Sequence, residues 1–198
     1  DRQVTGPARP AATVRAAAVD IGSTSVHLLV AEVSGARLEP LLDTSELLGL
    51  GGRIESDGML RSVGRHELTE TLARYAAEAR RLGSSSIVFA GTDPLRHAAD
   101  AARACREIEL ATGVAVHVLD QGEEGALTLL GIAGGRPLER DLAVLDIGGG
   151  STEIIVAGPD GIRQVVGLPI GASRLTVSVG AGDPPSAADL VALRAEAA

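Results

Sequence analysis

Two short stretches of this chain set an acid at the end of an apolar run and follow it with glycine and small hydroxyl residues. They are DIGSTS (Asp20–Ser25) and DIGGGS (Asp146–Ser151). Successive N–H groups in such a turn form a concave nest that favours anions. Glycine permits φ > 0 and lets backbone come close to a ligand, and serine and threonine hydroxyls add donors. Gly22, Ser23, Thr24 and Ser25 are therefore candidate phosphate ligands, as are Gly148, Gly149, Gly150 and Ser151. Asp20 and Asp146 would repel a phosphate directly. They make sense if a divalent cation, with its waters, sits between.

The two stretches belong to one repeat. At an offset of 126 residues, DIGSTSVHLLVAEVSGAR (Asp20–Arg37) superposes without a gap on DIGGGSTEIIVAGPDGIR (Asp146–Arg163). Eight of the 18 pairs are identical: Asp20/Asp146, Ile21/Ile147, Gly22/Gly148, Ser25/Ser151, Val30/Val156, Ala31/Ala157, Gly35/Gly161 and Arg37/Arg163. His27 and Glu153 share a position two residues past the common serine, which strand alternation puts on that serine's side. Glu153 is the better candidate to hold metal or water, whereas His27 suits a local hydrogen bond. The second copy is expected to grip the reacting phosphate and metal, and the first to form the opposing wall.

The elements that must position these loops follow from the pattern. Apolar runs at Val14–Asp20, Val26–Val33 and Arg37–Leu42 read as a strand meander, with Leu48–Gly52 as a glycine-rich loop. His66–Leu82 has helical spacing, with Leu68, Leu72, Tyr75, Ala76 and Ala79 on one face. A strand at Ile87–Ala90 leads to a helix from Pro94 to about Ala111, with Asp93 as its N-cap. A strand (Val114–Leu119) and a helix (about Gly122–Ile132) come next. The meander then recurs at Leu142–Ile147, Thr152–Ala157 and Ile162–Val166, before helical stretches at Ala172–Val179 and Ser186–Ala197. This order implies an α/β fold with a mixed sheet in each of two lobes. Residues 1–13 read as a disordered leader, 14–135 as the first lobe and 136–198 as a second, partial lobe.

Composition narrows the class. The net charge is −8, which argues against nucleic acid as a partner, since such binding rests on clustered cations. No lysine is present, so any cationic phosphate ligand is an arginine or a metal. Tyr75 and Phe89 are the only aromatics, leaving the core to Val, Leu, Ile and Ala. Cys105, the single cysteine, excludes an intrachain disulfide and reads as a bystander thiol. No apolar run reaches the roughly 18–20 residues of a membrane span, so no membrane partner is expected and the cytoplasm is the default location. Oligomeric state is left open, a homodimer included.

The motifs carry a resemblance. DIGSTS with a later DIGGGSTE is similar to the phosphate-binding pattern of the actin/hexokinase superfamily, whose lobes are ribonuclease H-like. The detailed match resembles the exopolyphosphatase/guanosine pentaphosphate phosphatase (Ppx/GppA) family. It rests on VDIGSTSVHLLVAEV (Val19–Val33), GTDPLRHAAD (Gly91–Asp100), VLDQGEEGALTLLGI (Val118–Ile132), LDIGGGSTEIIV (Leu145–Val156) and GLPIGASRLT (Gly167–Thr176). The resemblance implies hydrolysis of the terminal phosphoanhydride of polyphosphate, or of the 5′-phosphate of guanosine pentaphosphate, with Mg2+ or another divalent cation. It implies Glu124 as catalytic base with Glu123 beside it, Asp146 and Glu153 as acids holding metal and water, Asp20 as the first lobe's metal-side acid, and Arg96 as a phosphate ligand. By residue type alone, Glu123 and Glu124 would read as dipole-favoured acids at a helix start.

Departures from the family pattern are expected to matter little, except that Gly125 and Ala126 replace an alanine and a basic residue and would weaken substrate contact near the base. Family members also continue past this point, so the second lobe reads as truncated. A non-catalytic phosphate or alarmone sensor is the competing expectation. A kinase of the same superfamily would need acceptor and adenosine pockets that the sequence does not display.

Overall fold

A computed structural model describes residues 12–198, so the expected leader lies outside them but for its last two residues. The first meander is β1 (Val14–Ile21), β2 (Ser25–Ser34) and β3 (Arg37–Leu47). The chain continues through α1 (Leu50–Asp57), α2 (Arg61–Arg81), β4 (Ser86–Gly91), α3 (Asp93–His97), α4 (Ala101–Thr112), β5 (Val116–Val118) and α5 (Gln121–Ala133). The second meander, β6 (Leu142–Ile147), β7 (Thr152–Gly158) and β8 (Gly161–Leu168), leads to α6 (Ala172–Val179) and α7 (Ala187–Glu196).

One sheet has the order β3-β2-β1-β4-β5, antiparallel through the meander and parallel from β1 to β5. Its core face is built by alternation: Ala17, Val19 and Ile21 of β1 and Val26, Leu28 and Val30 of β2 point inward. Leu68, Leu72, Tyr75, Ala76 and Ala79 of α2 cover them, the helical face expected from spacing. Phe89 and Tyr75 are both buried there, and Cys105 of α4 packs against the edge of this core.

The second sheet, β6-β7-β8, is antiparallel throughout and not mixed as expected, because among the described residues only helices follow β8 and no strand joins β6 in parallel as β4 joins β1. A smaller core of Leu129, Ile155 and Ala157 forms between α5 and this sheet. Thus α5, counted by sequence with the first lobe, lies on the strands of the second.

Two further expectations change. The glycine-rich segment 48–52 is not all loop: α1 starts at Leu50, because Leu50, Gly51 and Ile54 are buried there despite low helix propensity. The helix foreseen from Pro94 to Ala111 is two helices, broken at Ala98–Asp100. There the Asp100 carboxylate accepts the backbone N–H groups of Leu60 (2.8 Å) and Arg61 (3.1 Å), capping the start of α2 from outside.

Registers test the repeat at residue level. Asp20 pairs with His27 across the first hairpin and Asp146 with Glu153 across the second, keeping the 126-residue offset. The following hairpins carry a bulge at matching places, Val30/Ala31 and Val156/Ala157. Beyond it the offset fails. The first hairpin turns at Gly35-Ala36 and the second at Pro159-Asp160, so β2 and β3 run longer before they turn. Gly35/Gly161 and Arg37/Arg163 are therefore coincidences of sequence, and the other six identities are structural.

Candidate active site

The turns are built alike. The Gly22 N–H donates to the Ser25 carbonyl (3.0 Å), and the Gly148 N–H to the Ser151 carbonyl (2.9 Å). Each turn is then held from behind by the helix that follows its meander. For the first, the Gly51 N–H donates to Ser23 O (2.8 Å), and the Leu48 and Gly49 N–H groups donate to Thr24 O (3.2 and 3.0 Å). For the second, the Ala172 and Arg174 N–H groups donate to Gly148 O and Gly149 O (both 3.0 Å), while Arg174 Nε donates to Gly150 O (2.7 Å).

The loops also touch each other, with the Thr24 and Ser173 hydroxyls 2.8 Å apart. Glycine is needed here for space: none of Gly22, Gly148, Gly149 and Gly150 has positive φ, contrary to one of the two reasons offered for them. A Cβ on Gly149 would collide with Thr24 Oγ1, and one on Gly150 with Asp93 and Ser23. Ser23 Oγ in turn donates to Asp93 Oδ2 (3.3 Å).

Between the loops lies a cleft of about 220 Å³. Gly22, Ser23, Thr24 and Ser25 line one wall, and Gly148, Gly149, Gly150 and Ser151 the other. Asp20, Glu124, Asp146 and Glu153 all face into it. Arg96 does not. It stands one step back, where its Nη1 donates to Glu124 Oε2 (2.6 Å) and to the Leu119 carbonyl (3.0 Å). Its Nε and Nη2 are buried without a hydrogen-bond partner, Nη2 lying 3.9 Å from Asp93 Oδ1.

The electrostatics are those of crowded acids. Asp20 faces the water of the cleft, yet the surrounding protein strips enough solvent to push its carboxyl up, with Glu124 and Asp146 adding to the rise and His27 opposing it. Glu153 is 3% exposed and its Oε1 has no partner. Burial pushes its carboxyl up as well; a hydrogen bond from Ser151 and the charge of Arg96 oppose the rise, while Glu124 and Asp146 reinforce it. Asp146 accepts the Thr128 hydroxyl of α5 at 3.1 Å.

Excess carboxylate, an orphaned buried oxygen and hard oxygen donors fit a divalent cation by chemistry. Among the described residues no three acid, histidine or cysteine side chains close into a cage by themselves. His27 takes the local role instead, with its Nε2 2.6 Å from Asp43 on β3.

Glu123 and Glu124 divide the two roles open to them. Asp120 and Glu123 form a reciprocal capping box at the start of α5, each side chain bonded to the other's backbone N–H at 2.8 and 2.9 Å. Glu123 is the helix-start acid and Glu124 the one in the cleft. Gly125, expected to affect substrate contact, faces Val165 and Ile155, where a Cβ would sit 2.8 and 3.2 Å away. It is a packing position for α5.

Residue-type reasoning missed two groups. Asp93 is 6% exposed and is not an N-cap; it lies inside α3 and receives Arg174 Nη2 at 3.2 Å. Arg174 also pairs through Nη1 with Glu55 of α1 at 2.6 Å. Nothing local marks Asp93, whereas Arg174 is the lone charge in Gly167–Thr176, a signal that was available.

The profile described as "Ppx/GppA phosphatase family" matches residues 28–198. The chain is 30% identical over 188 residues to "Exopolyphosphatase 1" of Mycobacterium tuberculosis, covering 91% of this chain and 53% of that protein. It is 29% identical over 140 residues to "Guanosine-5'-triphosphate,3'-diphosphate pyrophosphatase" of Pseudoalteromonas translucida, covering 71% and 28%. The crystal structure of the Aquifex aeolicus member of the Ppx/GppA family superposes with a TM-score of 0.75 at 28% identity, over 91% of this chain and 59% of that one. The chain spans about half the length of the curated exopolyphosphatases it matches.

Proposed function

The chain belongs to the Ppx/GppA phosphatase family, and from that premise we propose that it releases the terminal phosphate of a phosphoanhydride chain, inorganic polyphosphate or guanosine pentaphosphate, by attack of water. The observation that carries the reading is the meeting of both loops with Asp20, Glu124, Asp146 and Glu153 in one cleft. At about 220 Å³ that cleft is smaller than the roughly 300–1,000 Å³ of ordinary ligand pockets. It suits one phosphoryl end with its ion and waters, and the rest of the substrate stays outside, which favours action at a chain terminus.

In this reading the loop N–H groups and the hydroxyls of Ser23, Thr24, Ser25 and Ser151 orient the terminal phosphoryl group. Glu124 accepts a proton from the attacking water. Arg96 holds the Glu124 carboxylate in line from behind the cleft wall. Asp20, Asp146 and Glu153 would hold a divalent cation, which when bound offsets charge on the transferred group. The packing role of Gly125 removes one of the two sequence features behind a non-catalytic sensor.

The test is phosphate release from long-chain polyphosphate and from guanosine pentaphosphate with Mg2+, wild type against Glu124→Gln. A loss of about 10²–10⁴-fold is expected, the usual worth of a general base. Equal rates would remove Glu124 from the chemistry.

A further inference from the structure

The two loops occupy matching places in the repeat, so their supports can be compared atom by atom. At the 126-residue offset, Ser23 O corresponds to Gly149 O, and each accepts a backbone N–H from the following helix, Gly51 in one lobe and Arg174 in the other. Thr24 O corresponds to Gly150 O, and here the supports differ. Thr24 O takes two backbone N–H groups, from Leu48 and Gly49, whereas Gly150 O takes the side-chain Nε of Arg174.

Peptide planarity gives this a consequence. In a trans peptide the carbonyl of one residue points opposite to the N–H of the next. Three carbonyls, of Gly148, Gly149 and Gly150, are drawn back toward α6 by Ala172 N, Arg174 N and Arg174 Nε. The N–H groups of Gly149, Gly150 and Ser151 are thereby turned the other way, and none of the three donates to a turn or loop carbonyl. The remaining guanidinium nitrogens of Arg174 are fixed by Asp93 and Glu55, so Nε has little freedom to leave Gly150.

We infer that Arg174 is a positioning residue that sets the anion-binding orientation of the glycine triplet, a side chain doing in the second lobe what the backbone of Leu48 and Gly49 does in the first. It touches no substrate itself. The inference rests on the reading of the loops as phosphate ligands. A planar guanidinium serves three acceptors in fixed directions, and a lysine ammonium does not reproduce that fork.

The experiment is amide NMR on the 198-residue chain, as wild type, Arg174→Met, Arg174→Lys and Glu55→Gln, each titrated with tripolyphosphate. In Arg174→Met the Gly149, Gly150 and Ser151 amides should move and exchange faster, while those of Thr24 and Ser25 stay in place. Tripolyphosphate affinity should fall about 10–100-fold, as when hydrogen bonds to a charged ligand are misdirected. Millimolar guanidinium should restore part of the loss in Arg174→Met and do nothing to wild type. Arg174→Lys should sit between the two, and it carries the test if Arg174→Met does not fold. Glu55→Gln, which keeps the bonds to Gly150 and Asp93, should move the triplet amides far less.

Unmoved triplet amides and unchanged affinity in both Arg174 variants would overturn the inference and leave the phosphate reading standing. An equal effect from Glu55→Gln would also overturn it, making Arg174 a latch between lobes. Failure of wild type to bind tripolyphosphate would sink the phosphate reading instead, while the amide shifts still report whether Arg174 orients the loop.

Discussion

Ser23 and Thr24 rest on the backbone where β3 enters α1, and they carry side chains that reach across to the second lobe. Gly149 and Gly150 rest on α6 and an arginine, and they carry none. The hairpins match in register as far as the bulge, so at the cleft the difference lies in what each turn rests on and what it offers the space between them. One side supplies hydroxyls; the other supplies bare backbone brought close enough to receive them. The same asymmetry recurs one pair further along, where His27 is spent on Asp43 and Glu153 stays buried with a free oxygen. A duplicated frame can therefore hold unlike chemistry, provided the unlike residues sit at equivalent places and the frame is left alone.

The widest expected contrast pits Glu153→Gln against His27→Gln. Polyphosphate hydrolysis should drop by about 10²-fold or more in the first, as for a lost acid at a metal or water site. It should change by no more than about twofold in the second, as for an exposed substitution. Equal losses would mean the two lobes contribute alike and would break the comparison.

Next comes Gly150→Ala, whose Cβ collides with Asp93 and Ser23 and must push the loops apart. A misplacement of this kind costs about 10²-fold in rate. Thr24→Ala on the facing wall loses the hydrogen bond to Ser173 and the hydroxyl assigned to the phosphoryl group, and about 5–30-fold, the equivalent of about 1–2 kcal/mol. Steady-state kinetics of the pair would reverse the assignment of walls if Thr24→Ala were the worse.

The smallest effect is in stability against pH. Asp20 and Glu153 have carboxyls raised above their ordinary values in the folded state. Each contribution to stability is therefore complete below about pH 4, where the unfolded groups titrate, and is lost as pH rises through the raised folded value. With chelator present, Asp20→Asn should melt higher than wild type above that window, by about 2–4 °C for each 1 kcal/mol relieved in a chain of this length, and no higher below it. Mg2+ should raise the wild-type midpoint over the same window and do less for Asp20→Asn. A melting difference that does not vary with pH would show that the crowding is not electrostatic.

Much of this arrangement was legible beforehand. The hairpins announced themselves because alternation of two and a turn of glycine and serine are local signals, and Glu153 followed from register alone. The α2 face was readable for the same reason, since Leu68, Leu72, Tyr75, Ala76 and Ala79 need only helical spacing. The Asp120–Glu123 capping box is equally local, an acid three residues ahead of a glutamate at a helix start. What escaped was set by contacts distant in the chain. Asp93 is buried because Ser23 and Arg174, 70 and 81 residues away, converge on it. The start of α1 at Leu50 depends on Gly51 fitting against Ser23, where a Cβ would meet another at 2.8 Å, so close packing outweighs the helix-breaking tendency of glycine. The gapless repeat misled past Ala31 because hairpin length is set by turn position, and matching glycines two residues out of phase look alike in sequence. The packing of α5 against the second sheet, where Leu129 is buried, is another contact that spacing along the chain does not display.

The crowding at Gly149 and Gly150 has a consequence for how this chain tolerates change. An added side chain there meets Thr24, Asp93 or Ser23 before any ligand arrives. A saturation library scored only for folded, soluble protein would already be depleted at these two codons, and the depletion would mimic selection for activity. At Glu124 and Glu153 the same library would pass isosteric replacements such as glutamine more readily, since no added atoms have to be fitted. Comparing a folding screen with an activity screen codon by codon would therefore separate the residues that shape the cleft from those that act in it.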